Sequence, residues 1–433
     1  MKRIIISIVT LITAVGLQAQ TLSLSLQECR QMALGHNEQI KTASNAVDKA
    51  RLDRQIAFAQ YLPKVDGSIT GIQMKDLDII GMSLQTRGTY LAGINVTLPL
   101  YAGGQLTAAN RLAQIGQTVS EEQQRKIRMQ VIADVDNAYY TLISVQSKIK
   151  MLEAYARQMQ GLYEQVELSV KVELATENDL LRIATKQNEI SYQLQKANNG
   201  EQLCQLALAN LIGTDFEQTV IPTDTLLQSS FADNLSEDFS TRPDLILLQQ
   251  QVKASELQVK RARANYLPTV ALVGSYSHYD NLKLKGSFHN LDGTPLTVSH
   301  TFSGGNPYAL LSVQVPIFHW GAEVKKVKKA KLDLNDSQLQ LEQNERGMRI
   351  QVRQAVQNIT DGQRMVETAT IGQQQADENL RVMREKFDNQ LCSMTDLLDA
   401  QSQWQQARSN LIEAQTQLKI YETEYLRVTG RLE

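Results

Sequence analysis

The stretch from residue 131 to residue 170 reads VIADVDNAYYTLISVQSKIKMLEAYARQMQGLYEQVELSV. Apolar or small residues recur in it at alternating steps of four and three residues. The series is Val131, Val135, Ala138, Leu142, Val145, Ile149, Leu152, Ala156, Met159, Tyr163, Val166 and Val170. A period of 3.5 residues sustained over this length predicts a long helix packed in a left-handed coiled coil.

A second copy of this series lies 217 residues further along the chain, from Met348 to Phe387, with Gln373 as its one polar member. Short segments return as well: Tyr-Leu-Pro at 61–63 and 266–268, and Asp-Leu-Leu at 179–181 and 396–398. The first pair is 205 residues apart and the second is 217 apart, so the second copy carries 217 − 205 = 12 additional residues. The sequence therefore contains two versions of one structural unit.

Each copy has the same predicted order: a short helix, a β-hairpin, a long helix and a closing helix. The expected boundaries are 1–19 for a signal peptide, 20–213 for the first repeat, 214–241 for an equatorial connector and 242–433 for the second repeat. The hairpins are expected at 64–101 and 269–318. The connector is polar and contains Pro222, which predicts little regular structure there.

The lengths of the predicted helices restrict how each copy can pack. The long helix of the first copy, Gln105 to Val170, has 66 residues, or about 100 Å at 1.5 Å per residue. The short and closing helices of one copy together hold about 60 residues, which is nearly the same length when they are stacked end to end. Each copy can therefore form two antiparallel rods, one continuous and one broken.

The first twenty residues have the pattern of a secretory signal peptide: Lys2 and Arg3, then an apolar run from Ile4 to Leu17, then Ala19. An uncleaved anchor helix is the alternative. No later run of 18 apolar residues exists that could span a bilayer as a helix. The three cysteines, Cys29, Cys204 and Cys392, are too far apart to predict a disulfide framework.

Composition excludes several classes of function. The net charge of −2 provides no basic field, so we expect no nucleic-acid partner. The sequence has no Gly-rich phosphate loop, no metal-ligand spacing and no nucleophile elbow. We therefore expect no enzyme activity, no cofactor and no metal site.

The predicted strands alternate between an apolar and a small polar face. In the first hairpin, Ile94, Val96 and Leu98 lie on one face and Asn95 and Thr97 on the other. This pattern fits either a half-buried sheet or a membrane barrel with a wet lumen. Four strands cannot close a barrel, and open strand edges are not tolerated in lipid. The hairpins must therefore pack on a soluble core or join with those of other subunits.

Taken together, these features resemble the TolC-like outer membrane factor family. The resemblance rests on the signal peptide, the two tandem halves, Tyr-Leu-Pro before each hairpin and the Gly-rich start of each long helix at Gly103 and Gly321. It also includes Asp-Leu-Leu after each helix tip, and it covers essentially the whole mature chain. It implies a mainly α fold with transmembrane β: a homotrimer with a 12-stranded β-barrel and a 12-helix periplasmic α-barrel.

The function implied by this resemblance is an outer-membrane exit duct of a tripartite efflux system. The implied partners are a periplasmic membrane-fusion (adaptor) protein, an inner-membrane RND, ABC or MFS transporter and outer-membrane lipid. One alternative keeps the fold and serves type I protein secretion. Another, from a different class, is a periplasmic coiled-coil structural or adaptor protein without a barrel.

In the family, aspartates at the periplasmic tips constrict the pore. Thr395-Asp396-Leu397-Leu398-Asp399-Ala400 matches that segment, so the resemblance implies that Asp396 and Asp399 form a gate with Asp179 of the first copy. Threefold symmetry would repeat these carboxylates around a narrow bore, where they would attract cations. The same residues also fit a simpler interpretation, that of aspartates favoured at a helix N-terminus.

The tips depart from the family at three positions. Phe387 replaces a tyrosine, Gln390 a glycine and Cys392 an arginine. The usual network of hydrogen bonds cannot form, and Arg182, Arg384 or Lys386 could substitute. The tips, about 170–181 and 387–398, are also the expected docking surface for the adaptor. The residues assigned to this network and surface are Asn178, Leu180, Leu181, Phe387, Gln390, Cys392, Ser393 and Thr395.

Two weaker features belong to the second hairpin. Lysines at 325, 326, 328, 329 and 331 follow it, and Arg261 and Arg263 precede it. They fit either anionic lipid headgroups or a solvated helix face. His278, His289 and His300 fall in the hairpin and in a long loop expected from Tyr279 to Pro307, but their spacing is too loose to predict a metal site.

Overall fold

A computed structural model describes residues 21–79, 82–86, 88–216, 218–224, 235–289 and 294–433. The expected signal peptide lies outside these ranges. The elements in chain order are β1 (Thr21–Leu24), α1 (Leu26–His36), α2 (Glu38–Ala59), β2 (Lys64–Ile72), β3 (Leu77–Ile79), β4 (Met82–Gln85), β5 (Thr89–Ala102), α3 (Gln105–Lys171), α4 (Glu177–Ile212), β6 (Thr219–Pro222), α5 (Pro243–Ala264), β7 (Thr269–His289), β8 (Pro295–Gln314), α6 (Ala322–Asp388) and α7 (Met394–Thr429).

The helices confirm the two predicted long helices and their spacing. α3 and α6 each have 67 residues and begin 322 − 105 = 217 positions apart. Gly213 and Gly430 end α4 and α7 in the left-handed conformation, with φ of 72° and 76°, as expected of helix C-caps. No helix in the described ranges is both long enough and apolar enough to cross a membrane.

Two compact units share the chain. The first comprises Met1–Asn45, Glu122–Ile246 and Glu342–Glu433. The second comprises Ala46–Glu121 and Leu247–Leu341.

The core of the first unit is built on the heptad positions. Val135, Leu142 and Met159 of α3 are fully buried, and Ile359 of α6 is buried in the same way. Burying a side chain of this kind contributes about 1.5–3 kcal/mol, so these positions supply the main apolar stabilisation of the helix pairs. Around the tips, α3, α4, α6 and α7 share one cluster that includes Met159, Ile183, Leu380, Leu397 and Trp404.

The beginning of the first unit contains structure that the sequence pattern did not predict. β1 pairs in parallel with β6, and α1 begins with Ser25 as N-cap in a capping box with Glu28. The expectation of an irregular connector is therefore wrong for β6. Val220 in this strand is fully buried, and the Gln205 side-chain amide bonds both its N–H and its carbonyl, at 2.9 and 2.8 Å. A four-residue strand held in this way has too little alternation to be recognised in the sequence.

A buried ionic network ties α1 to the long helices. The Arg30 guanidinium donates to both carboxylate oxygens of Asp136, at 2.7 and 2.6 Å, and the Thr423 hydroxyl donates to Asp136 at 2.7 Å. Asp136 has no exposed side-chain surface, whereas Arg30 retains 19%. Next to this network Cys29 is buried, and desolvation raises the pKa of its thiol to about 12. The cysteine therefore packs as a small neutral side chain.

The second unit contains an antiparallel sheet in which the four long strands have the order β2-β5-β7-β8. Its register confirms the predicted faces: Leu98 lies opposite Leu272, which lies opposite Leu311. On the other face the Ser275 hydroxyl donates to Asn95 at 2.7 Å. The sheet thus has one apolar face and one face with polar side chains, aligned across strands from both repeats.

Both hairpins differ from the prediction in their outer parts. The end of the first hairpin forms a short ribbon, β3 and β4, and β4 pairs with β7, so the expectation of four strands omitted two short ones. The expected loop from Tyr279 to Pro307 is wrong, because β7 continues to His289 and β8 begins at Pro295. Pairing continues because Leu282 and Leu284 keep the alternation and find partners in Phe302 and His300. β8 ends at Gln314 rather than at 318.

Candidate functional site at the helix tips

The two tips of the first unit have the same backbone design. In the first, Glu173 has φ of 63°, its N–H bonds the carbonyl of Val170, and the N–H of Leu174 bonds the carbonyl of Ser169. In the second, Gln390 has φ of 59° and Leu391 completes the same pair of bonds. This is a Schellman motif, whose C′ position favours glycine. The family resemblance assigns a glycine to the position of Gln390, and the backbone there is left-handed.

Each closing helix then begins with a capping box. The Thr176 hydroxyl donates to Asp179 at 2.7 Å, and the Asp179 N–H donates back to Thr176 at 3.2 Å. Ser393 and Asp396 repeat the arrangement at 2.7 and 3.2 Å. Two of the three predicted gate aspartates therefore satisfy backbone groups that the first helical turn leaves free.

The capping bonds also have an electrostatic consequence. Hydrogen bonds from the side chain and the backbone of Ser393 hold the pKa of Asp396 below its usual value. The stabilisation of the α7 start is therefore fully present above a pH of about 3.9, the ordinary aspartate pKa, and is lost as the pH falls through the lower folded-state pKa. Asp396 is ionised at neutral pH, so it is available for both capping and attraction of cations.

The exposure of these carboxylates leaves the gate interpretation open. Asp396 and Asp399 are exposed, and Asp179 is partly exposed. Asp399 lies one turn further along α7 than Asp396 and accepts no hydrogen bond within the described part of the chain. A ring of aspartates requires several copies of the chain, so the gate role of these three residues stays a prediction.

The expected docking residues divide into partly buried and exposed groups. Phe387, Leu180 and Leu398 pack partly buried against the tip core, and Ser393 and Thr395 belong to the first turn of α7. The Cys392 thiol donates to the carbonyl of Met383 at 3.4 Å. Asn178 is exposed.

Apolar side chains remain exposed at both tips. Leu181 is 65% exposed, and the C″ residues of the two Schellman motifs, Leu174 and Leu391, are 69% and 75% exposed. Val172 is also exposed. Leu174 and Leu391 occupy equivalent positions, 217 residues apart, so both repeats present the same apolar feature.

Direct hydrogen bonds join the two helix pairs near their tips. Arg182 of α4 donates to the Thr395 hydroxyl of α7. The Gln405 amide of α7 donates to Gln193 of α4 at 2.6 Å. Of the three basic residues proposed to replace the missing network, Arg182 is the one that reaches across, because Arg384 and Lys386 make no side-chain hydrogen bond in the described ranges.

Replacing Arg182 with alanine is expected to loosen this connection. Both partners are exposed, so the local opening free energy at the starts of α4 and α7 should fall by about 0.5–1 kcal/mol. Native-state hydrogen exchange of the first two turns of α4 and α7 measures this change. Lys186→Gln is a matched control, because Lys186 pairs with Glu189 within its own helix at 2.8 Å. Equal exchange in the two variants would contradict a role of Arg182 between the helix pairs.

No group of histidine, cysteine, aspartate and glutamate side chains within the described ranges is arranged to hold a metal ion. In the sheet, His278 lies opposite Gly305 and His300 opposite Leu284. The features of the tips that could serve a function are thus the exposed carboxylates, the exposed apolar side chains and the hydrogen bonds between helices described above.

A sequence profile named "outer membrane efflux protein" matches residues 29–214 and 235–431, which together cover most of the chain. The chain belongs to the outer membrane efflux protein family. The family places the protein in the outer membrane and gives it a function in efflux transport as a channel component. Members of this family are channels rather than enzymes.

Individual relatives agree with this assignment. The solvent efflux pump outer membrane protein SrpC of Pseudomonas putida is 22% identical over 406 residues, which cover 88% of this chain and 80% of that protein. A crystal structure of CusC has a TM-score of 0.80 at 17% identity and covers 97% of this chain and 95% of its own. The outer membrane protein VceC of Vibrio cholerae has a TM-score of 0.77 at 17% identity, covering 94% and 96%. The structural likenesses establish the fold of the efflux protein family.

Proposed function

We propose that this efflux protein is the outer-membrane exit duct of a tripartite system. Three copies form a 12-stranded β-barrel and a 12-helix periplasmic α-barrel. The duct passively conducts small molecules that a periplasmic adaptor and an inner-membrane RND, ABC or MFS transporter deliver to it. The relatives SrpC and CusC carry names of efflux systems, which supports an efflux role for this chain as well.

The observation that carries this proposal is the sheet with two open edges. Among the described residues, β2 pairs with β5 alone and β8 pairs with β7 alone. Their apolar side chains are unprotected: Ile69 of β2 is 82% exposed and Val313 of β8 is 57% exposed. An apolar face suits lipid, but an unpaired strand edge in lipid costs several kcal/mol for each free backbone group. Pairing of β8 with β2 of the next copy removes both edges.

Three copies of the sheet would supply enough strands for an open barrel. Four long strands from each of three chains give twelve, which is enough for an open lumen. The polar row on the second face, with Ser275 bonded to Asn95, would then line that lumen. The bases of α3 and α6 follow β5 and β8, so the same symmetry would continue into a helical ring.

The tips fit the two remaining tasks of an exit duct. Asp396, Asp399 and Asp179 would gather carboxylates around the bore and form its gate. The exposed leucines at 174, 181 and 391 would bind the adaptor, because an apolar patch of repeated geometry is typical of a binding surface. The Arg182–Thr395 bond would hold the closed arrangement of the two helix pairs.

The two alternatives make different predictions. A type I secretion channel would share the fold and differ in cargo. A periplasmic coiled-coil structural or adaptor protein would have no barrel and would be released from membranes by alkaline carbonate. The exposed apolar sheet face favours the duct over this last alternative, since a soluble protein would leave it in water.

Deletion of the gene and complementation test the proposed cargo. Loss of the duct should raise the cellular accumulation of a fluorescent efflux substrate, and the wild-type chain should restore export. Loss of a secreted polypeptide with unchanged accumulation would favour type I secretion. Recovery of the protein in the carbonate-soluble fraction as a monomer would contradict a duct of either kind.

A further inference from the structure

The start of α6 carries a concentration of positive charge that its counterpart in α3 lacks. Residues 322–331 contain five lysines and one acid, Glu323. The equivalent positions of the first repeat, 217 residues earlier, hold a single basic residue, Arg111. All five lysines are exposed. This charge is therefore specific to the second repeat and is not required to build the start of a long helix.

The position of these lysines is unfavourable for the isolated helix. The N-terminus of a helix carries a partial positive charge, so a cation in its first turn, here Lys325, is repelled. Lys325, Lys328 and Lys329 also lie three and four residues apart, where like charges repel each other. Glu323 is engaged with Lys326 at 2.8 Å and with the Asn265 amide at 3.0 Å. No ion pair within the described part of the chain neutralises Lys325, Lys328, Lys329 or Lys331.

The end of α5 adds to the same charge. Asn265 bonds Glu323, and Ser255 of α5 bonds Ser337 of α6 at 2.9 Å, so α5 runs antiparallel along the start of α6. Arg261 and Arg263, which are both exposed, therefore lie at the level of the lysines. We call Arg261, Arg263, Lys325, Lys328, Lys329 and Lys331 the basic collar.

An exposed apolar segment separates the basic collar from β8. Ile317 is 92% exposed, Phe318 is 68% exposed and Trp320 is 87% exposed. The rings of Phe318 and Trp320 lie 5.0 Å apart. Exposed aromatic rings between an apolar strand and a cluster of lysines are an arrangement that favours the boundary between hydrocarbon and headgroups.

Trp320 has a backbone conformation that tryptophan rarely adopts. Trp320 has φ of 52°, and its counterpart in the first repeat is Gly103, with φ of 60°. A left-handed backbone is unfavourable for a bulky residue by about 1–2 kcal/mol. At Gly103 a Cβ atom would lie 2.6 Å from the carbonyl oxygen of Ala264, whereas the side chain of Trp320 projects into open space. The second repeat thus has an exposed indole at a position whose backbone conformation favours glycine.

We propose that the basic collar binds the phosphate headgroups of anionic phospholipids in the periplasmic leaflet, with Phe318 and Trp320 inserted beside them. An anionic surface would relieve both the repulsion between the lysines and the repulsion of Lys325 by the helix N-terminus. Basic residues near such a surface are attracted to it, and the attraction weakens as salt screens the charges. This inference rests on the proposed membrane barrel and adds a lipid preference that the barrel itself does not require.

The fluorescence of Trp320 can report on this site. The chain has two tryptophans, of which Trp404 is buried in the tip core, so Trp320 is the accessible one. The protein would be reconstituted in vesicles of phosphatidylcholine and phosphatidylglycerol. In one preparation the phosphatidylcholine has brominated acyl chains, and in the other the phosphatidylglycerol has them. The mole fraction of brominated chains is the same in both. The difference between wild type and Trp320→Phe isolates the Trp320 fluorescence without altering Trp404.

Brominated phosphatidylglycerol is expected to quench Trp320 about twofold more than brominated phosphatidylcholine, and high salt should reduce this preference. The K325Q/K328Q/K329Q/K331Q variant should lose the preference and keep the quenching by phosphatidylcholine. The control, K41Q/K150Q/K196Q/K253Q, removes the same charge from exposed positions elsewhere and should keep the preference.

The outcomes separate this inference from the proposed function. Equal quenching by the two lipids would overturn the basic collar as a headgroup site and leave the barrel intact. Absence of quenching by either lipid in carbonate-resistant protein would also overturn it, because Trp320 would then lie outside the bilayer boundary. Extraction of the protein by carbonate would instead contradict the barrel itself.

Discussion

Replacing Arg30 with alanine is expected to lower the free energy needed to open α1 from the long helices by about 3–5 kcal/mol. The variant leaves the Asp136 carboxylate fully buried, with the Thr423 hydroxyl as its remaining partner at 2.7 Å. A buried charge that loses its counter-charge retains the cost of desolvation without the compensating attraction. Native-state hydrogen exchange of the α1 amides measures the change.

The partner variant provides the control for this prediction. Asp136→Ala should cost less, because Arg30 keeps 19% of its surface exposed and can reach water. The double variant should be more stable than Arg30→Ala alone, since it removes the orphaned carboxylate. If the loss of opening free energy in the double variant equals the sum of the losses in the two single variants, the pair is not coupled.

Replacing Asp396 and Asp399 with asparagine is expected to raise the single-channel conductance in planar bilayers and to weaken block by divalent cations several-fold. A ring of carboxylates at a constriction binds cations strongly and slows their passage, and asparagine removes the charge at nearly constant volume. The side-chain amide oxygen introduced by Asp396→Asn can still accept a hydrogen bond from Ser393, so the start of α7 should be kept.

The capping role of Asp396 requires a second variant. Ser393→Ala removes the hydroxyl that bonds Asp396 at 2.7 Å and leaves every carboxylate in place. It should cost α7 about 1 kcal/mol of helix stability and should not change divalent block. Weaker block in Ser393→Ala, or unchanged block in the asparagine variant, would assign these aspartates to capping alone.

The long helices and the two faces of the sheet could be predicted because each produces a periodic pattern of apolar residues in the sequence. The heptad of α3 and α6 and the aligned apolar faces of the sheet each depend on many residues. A single exception, such as Gln373, does not disturb a series of twelve positions.

The features that could not be predicted depend on contacts distant in sequence. β6 exists because β1 and Gln205 bond it, and β4 exists because Met82 and Leu84 pair with Gly286 and Leu284 of β7. The choice of Arg182 over two nearby basic residues depends on where α4 lies beside α7. Glu173 is a separate case, because it adopts a left-handed backbone that sequence rules assign to glycine and no local signal identified it; for Gln390 the family resemblance supplied that signal.

The central claim is that the sheet edges of one copy are completed by other copies. Cryo-electron microscopy of the protein extracted from membranes in detergent tests it most directly. We expect a threefold ring in which β8 of each copy pairs with β2 of the next, giving twelve long strands with Ile69 and Val313 facing outward. A monomer, or a sheet whose apolar face is covered by helices of the same chain, would contradict the proposed duct.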